Sequence, residues 1–71
     1  MGSPGSAPAA ARALYERGLA ATNAQRYVEG RRLLDRAAAH PGADPDLRAR
    51  IAGTTAYLLA QTGEPARAEE L

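Results

Sequence analysis

Cysteine is absent from this 71-residue chain, which removes disulfides and thiolate metal sites and leaves the redox compartment open. Phenylalanine and tryptophan are also missing, so three tyrosines are the whole aromatic complement, and a core built here lacks the side chains that bury the most area. Lysine is missing too. All nine basic residues are arginine, and together with the abundance of alanine this points to a GC-rich bacterial genome. Eight acids nearly balance them, for a formal net charge of +1, so long-range steering toward nucleic acid or an anionic membrane has little support. No apolar run is long enough to span a bilayer, and the basic start and apolar stretch of a signal peptide are not found. The expected location is the cytoplasm.

The large apolar residues that are present are few, chiefly Leu14, Leu19, Val28, Leu33, Leu34, Leu47, Ile51, Leu58 and Leu59 with the tyrosines. A lone core at this size seldom supplies more than about 3–5 kcal/mol. Alanine favours helix but buries little surface, so close backbone approach has to compensate for missing bulk. Support from a neighbouring segment, a second copy or a partner is therefore expected.

Residues 1–7 are Gly-, Ser- and Pro-rich and read as a disordered leader or an expression remnant. Met1, Gly2 and Ser6 also fit a loose myristoylation pattern, for which the leader reading is the simpler account. Pro8 suits the first turn of a helix capped by Ser6 or Ala7 and running to about Ala24, with Leu14, Gly18 and Ala21 on one face and Tyr15, Leu19 and Thr22 on the adjoining strip. Glycine inside a helix costs up to about 1 kcal/mol relative to alanine, so Gly18 implies that another backbone passes close by.

A second helix is expected from Tyr27 to Ala39, with Tyr27, Val28, Leu33, Leu34, Ala37 and Ala38 as its apolar positions and Gly30 as a notch toward the first. So short a connection forces the two helices antiparallel. His40, Pro41 and Gly42 end the second helix, Pro41 by disfavouring helical dihedrals in the residue before it. His40 is read as a helix-end cap on the terminal carbonyls. Asp44, Pro45 and Asp46 give the clearest helix start: an Asx cap, proline in first position, and an acid against the helix dipole. That third helix is expected to reach Thr62 and end on Gly63 in a left-handed conformation, with Glu64 and Pro65 opening a partial fourth helix that stops at Leu71.

Gly18 and Ala21, then Tyr27, Gly30, Leu34 and Ala37, with a weaker echo in Ala56, Leu59, Gly63 and Ala68, carry a resemblance to the tetratricopeptide repeat family. Residues 8–42 resemble one helical hairpin of that family, and residues 44–71 a truncated second. The second unit starts near Ala49, an offset of 38 residues from Ala11, against a family period of about 34; the extra length falls in the loop from Pro41 to Asp46. Arg17 stands where the family has leucine, Gln25 where it has a turn glycine, and Ala52 and Thr55 where it has larger apolar residues. The stretch from Arg17 to Tyr27, with Arg48, Arg50 and Tyr57 beyond, also resembles repeats in large actinobacterial regulators that carry a caspase-like CHAT domain or a LuxR-type DNA-binding domain. No residue of either domain is present.

The resemblance implies an all-α array of antiparallel hairpins that binds other proteins. Its concave surface would display Arg12, Tyr15, Leu19, Thr22 and Asn23 from the first helix, and Arg50, Gly53, Tyr57, Ala60 and Gln61 from the third. The partner-binding candidates are accordingly Arg12, Tyr15, Leu19, Asn23, Arg50, Tyr57 and Gln61, since tyrosine and arginine combine apolar area with hydrogen-bonding tips. Against this stands a structural reading in which Tyr15 and Tyr57 fill an under-sized core. The family's chaperone-tail clamp, which needs Lys and Asn in this groove, is not matched by Tyr15, Leu19 and Thr54.

No catalytic constellation is visible: Ser3 and Ser6, the only serines, lie in the leader, and His40 is the only histidine. No enzyme activity, cofactor or metal is expected. Arg26, Arg31, Arg32 and Arg36 form one basic cluster, but Glu29 and Asp35 interrupt it, and Arg31 with Asp35 has ion-pair spacing, as do Asp46 and Arg50. The reading is a non-enzymatic interaction module for a protein or peptide, with self-association as one form of it. The alternative is a helical nucleic-acid-binding module, part of a transcriptional regulator, using that arginine cluster.

Overall fold

The computed structural model describes residues 6–63. Over that span the chain forms three helices, α1 (Ser6–Asn23), α2 (Tyr27–Ala39) and α3 (Pro45–Thr62), and no strand occurs among the described residues. The expected fourth helix falls on residues 64–71, outside the described residues. The start of α1 corrects the reading of residues 1–7 as wholly leader: Ser6 and Ala7 are helical, and Pro8 is the third helical residue. Proline fits there because the N–H it lacks would have had no intrahelical partner.

Each helix end is set by local chemistry. At the C-terminus of α1, Gln25 N–H donates to Thr22 O at 3.0 Å and Arg26 N–H to Ala21 O at 2.8 Å. This is the Schellman pairing, which requires a left-handed residue, and Gln25 supplies it at φ 66°. The chain therefore makes its glycine-type turn with a glutamine. α2 begins at once afterwards, with Arg26 in the capping position and no side-chain cap. It ends at His40, whose extended backbone breaks the helix ahead of Pro41. The His40 ring does not engage the terminal carbonyls as expected. Its Nδ1 accepts the Gly42 N–H at 3.0 Å and so stiffens the loop. The start of α3 matches expectation throughout: Asp44 Oδ1 accepts the Leu47 N–H at 2.8 Å, Pro45 follows, and Gly63 closes the far end at φ 82°.

Two glycines bring α1 and α2 together in antiparallel contact. A Cβ on Gly18 would stand 2.9 Å from the Leu34 side chain and 3.2 Å from its backbone nitrogen. One on Gly30 would lie 2.6 Å from the Thr22 hydroxyl and 3.3 Å from Gly18 O. Both glycines are buried. Thr22 is the one buried polar residue among those described, and its hydroxyl donates to Gly18 O at 2.8 Å. The close approach lets the fully buried Leu34 reach a core of Ala11, Ala37, Ala43, Leu47, Ile51 and Leu58, flanked by half-buried Leu14, Tyr15, Tyr27 and Leu59.

α2 is the shared neighbour of α1 and α3, which touch each other more sparingly. α3 packs inward through Leu47, Ile51 and Leu58. Ala52 and Ala56 are exposed, so the expected echo of Gly18 at Ala56 is not a packed position. No described element covers that side of α3 as α2 covers it on α1. Val28 and Ala38 are likewise exposed, Val28 at 77 %. At about 100° per residue Val28 lies nearly opposite the buried strip of Gly30, Leu33, Leu34 and Ala37. Arg31 and Asp35 pair at 3.3 Å, as do Arg26 and Glu29 at 3.5 Å, all on exposed side chains. Asp46 and Arg50 form no ion pair in the described residues; both are solvated, and such pairs contribute little.

The loop joining α2 to α3 is pressed against the start of α1. A Cβ on Gly42 would collide with the Ala7 carbonyl and come within 2.7 Å of Pro8 N. Gly42 is thus needed for clearance, while α2 has already ended at His40.

Candidate functional site

On α1, Arg12, Tyr15, Leu19 and Asn23 follow one another at intervals of three or four residues and so share a strip. On α3, Arg50, Tyr57 and Gln61 repeat the positions of Arg12, Leu19 and Asn23, and Gly53 stands where Tyr15 does. The Tyr15 hydroxyl lies 3.4 Å from Thr54 Oγ1, a long contact that brings the middle of α1 to the middle of α3. Tyr15 and Leu19 are half-buried; Arg12, Asn23, Arg50 and Gln61 are exposed. Tyr57 is 54 % exposed.

The two tyrosines thus have different surroundings. Tyr15 packs its ring on the core and holds its hydroxyl at Thr54. Tyr57 presents more than half its surface to solvent, the arrangement in which an aromatic side chain is available to a partner. At Gly53 a Cβ would meet nothing within 4 Å, which leaves an open step beside Tyr57 and Arg50. Arg12 and Arg50 make no salt bridge within the described residues, so their guanidinium groups are available for hydrogen bonding.

Sequence reasoning placed Thr54 in the groove without foreseeing its contact with Tyr15, and missed a second feature altogether. Thr54 belongs to the same strip as Arg50, four residues on, so its spacing could have identified it as the group Tyr15 meets. The second feature is a concavity of about 640 Å³ along α1 and α2, lined by Arg17, Arg26, Arg32 and Arg36 together with Val28 and Leu33. Arg17 joins the α2 arginines only through the antiparallel packing of the helices, for which the local sequence holds no signal. Arg31 points instead to Asp35 and to a smaller apolar cleft of about 300 Å³, shared with Tyr27, Val28, Leu58, Leu59 and Thr62.

No group of three or more His, Cys, Asp or Glu side chains is gathered as a metal site among the described residues, and His40 Nδ1 is occupied by the loop amide. No described helix is long and apolar enough to cross a membrane. No family model, curated protein or solved structure matches the chain.

Proposed function

We propose that the chain is a non-enzymatic protein-interaction module in which tetratricopeptide-like helices present the α1/α3 strip to a peptide or a neighbouring domain. The observation that carries this reading is Tyr57, 54 % exposed between Arg50 and Gln61 on α3, alongside the α1 strip whose Tyr15 hydroxyl lies 3.4 Å from Thr54 Oγ1. Rigid helices hold those groups in place before any partner arrives, which reduces the ordering cost of association. A tyrosine and two arginines with no acidic partner among the described residues supply apolar area and forked hydrogen bonding in the combination that dominates interface energetics.

The test is selection of peptides from a random display library on the immobilised protein, followed by titration of synthetic winners. Tyr57→Ala and Arg50→Ala should each weaken a selected peptide by about tenfold or more, as expected of hot-spot truncation. If no selected peptide depends on Tyr57, Arg50 or the α1 strip, this surface is not the binding site.

A further inference from the structure

The concavity along α1 and α2 lies on another flank of the molecule. Arg17 is two residues from Tyr15, about 200° round α1 from it, so the two surfaces do not overlap. Four guanidinium groups, from Arg17, Arg26, Arg32 and Arg36, line it against one carboxylate, Glu29. Glu29 is engaged by Arg26 at 3.5 Å. Arg17, Arg32 and Arg36 have no acidic partner among the described residues. The concavity is also partly apolar: Leu33 forms part of its lining, and so does Val28, which is 77 % exposed.

We propose that this concavity docks an acidic peptide segment of a partner protein, its carboxylates meeting Arg17, Arg32 and Arg36 while one apolar side chain lies over Val28 and Leu33. Charge complementarity selects the occupant. Planar guanidinium groups bind carboxylates through paired hydrogen bonds. They project from two helices whose relative position is fixed by the contacts of Gly18 with Leu34 and of Gly30 with Thr22, so the site is preorganised. A nucleic-acid strand fits less well. The chain carries a net charge of only +1, and Tyr27, the one aromatic here, is half-buried against the core, which limits base stacking.

A fluorescein-labelled peptide of four glutamates flanking one leucine, titrated by anisotropy against the full chain, tests the proposal. Binding should saturate and weaken at least about tenfold in the Arg32→Glu/Arg36→Glu variant, the loss expected when charge partners are reversed. Arg17→Gln, on the other helix, should weaken it about threefold or more, and replacing the peptide leucine by serine by a similar factor. Arg48→Glu and Tyr57→Ala should leave it unchanged, which separates this site from the α1/α3 strip. Circular dichroism melts establish that each variant is folded, and the Arg17 substitution gives an independent reading should the double variant be destabilised. Non-saturable binding, affinity indifferent to Arg17, Arg32 and Arg36, or loss on Arg48→Glu would overturn the proposal. So would tighter binding of a twelve-nucleotide oligothymidylate with a steeper salt dependence, which is the signature of phosphate contacts.

Discussion

At the scale of single residues, glycine has two opposite meanings in this molecule. Gly30 is a necessity: a methyl group there would meet the Thr22 hydroxyl at 2.6 Å, and that hydroxyl is already bonded to Gly18 O. Gly30→Ala should therefore destabilise the fold by about 1–3 kcal/mol despite alanine's better helix propensity, because overpacking outweighs the propensity gain. Removing the obstructing oxygen tests the cause. In a double-mutant cycle measured by urea unfolding, Thr22→Ala should recover part of that loss, with a coupling of at least about 0.5 kcal/mol. Additive effects would mean that the Thr22 hydroxyl is not the obstacle at this contact. Gly53, by contrast, faces open space and carries no such constraint.

At the scale of elements, the helix starts and stops are the most legible part of the sequence, because their causes lie within four residues of each other. Asp44, Pro45 and Gly63 act on their own helix and behave as their chemistry dictates. Asp44→Ala should cost about 1 kcal/mol, read as a lowered urea midpoint with an unchanged slope. Gly18 and Gly30 were legible for a related reason, since an interior helix glycine is costly and these two stand among apolar positions that face a neighbouring helix, whereas Gly53, equally interior, meets open space. What the sequence could not convey is the outcome of distant encounters. Gly42 reads as a helix terminator, but its clearance is from Ala7 and Pro8 at the other end of the chain's first helix. Val28 reads as core and is exposed, because no described helix covers that side of α2. Arg17 reads as a misfit at a leucine position; only the tertiary arrangement makes it one wall of an arginine-lined concavity. For the candidate strip, the family resemblance implied the shared face of Arg12, Tyr15, Leu19 and Asn23, whereas the contrast between the half-buried Tyr15 and the open Tyr57 depends on what α3 touches.

At the scale of the whole molecule, Leu34 joins everything. It is fully buried, abuts Gly18 on α1 and belongs to the cluster that includes Leu47, Ile51 and Leu58 of α3. Truncating such a leucine costs about 2–5 kcal/mol, comparable with the total of about 3–5 kcal/mol available to a core of this size. Leu34→Ala should accordingly abolish cooperative thermal unfolding followed by circular dichroism at 222 nm, whereas a sharp transition in that variant would mean the three helices draw stability from elsewhere. The turn between α1 and α2 adds a last point. Gln25 holds a backbone shape that glycine adopts more comfortably, yet it is also one of the residues lining the arginine basin. Glycine at that corner would relieve the backbone but remove the glutamine from the lining of the basin, so at position 25 the most robust molecule and the most discriminating one call for different residues.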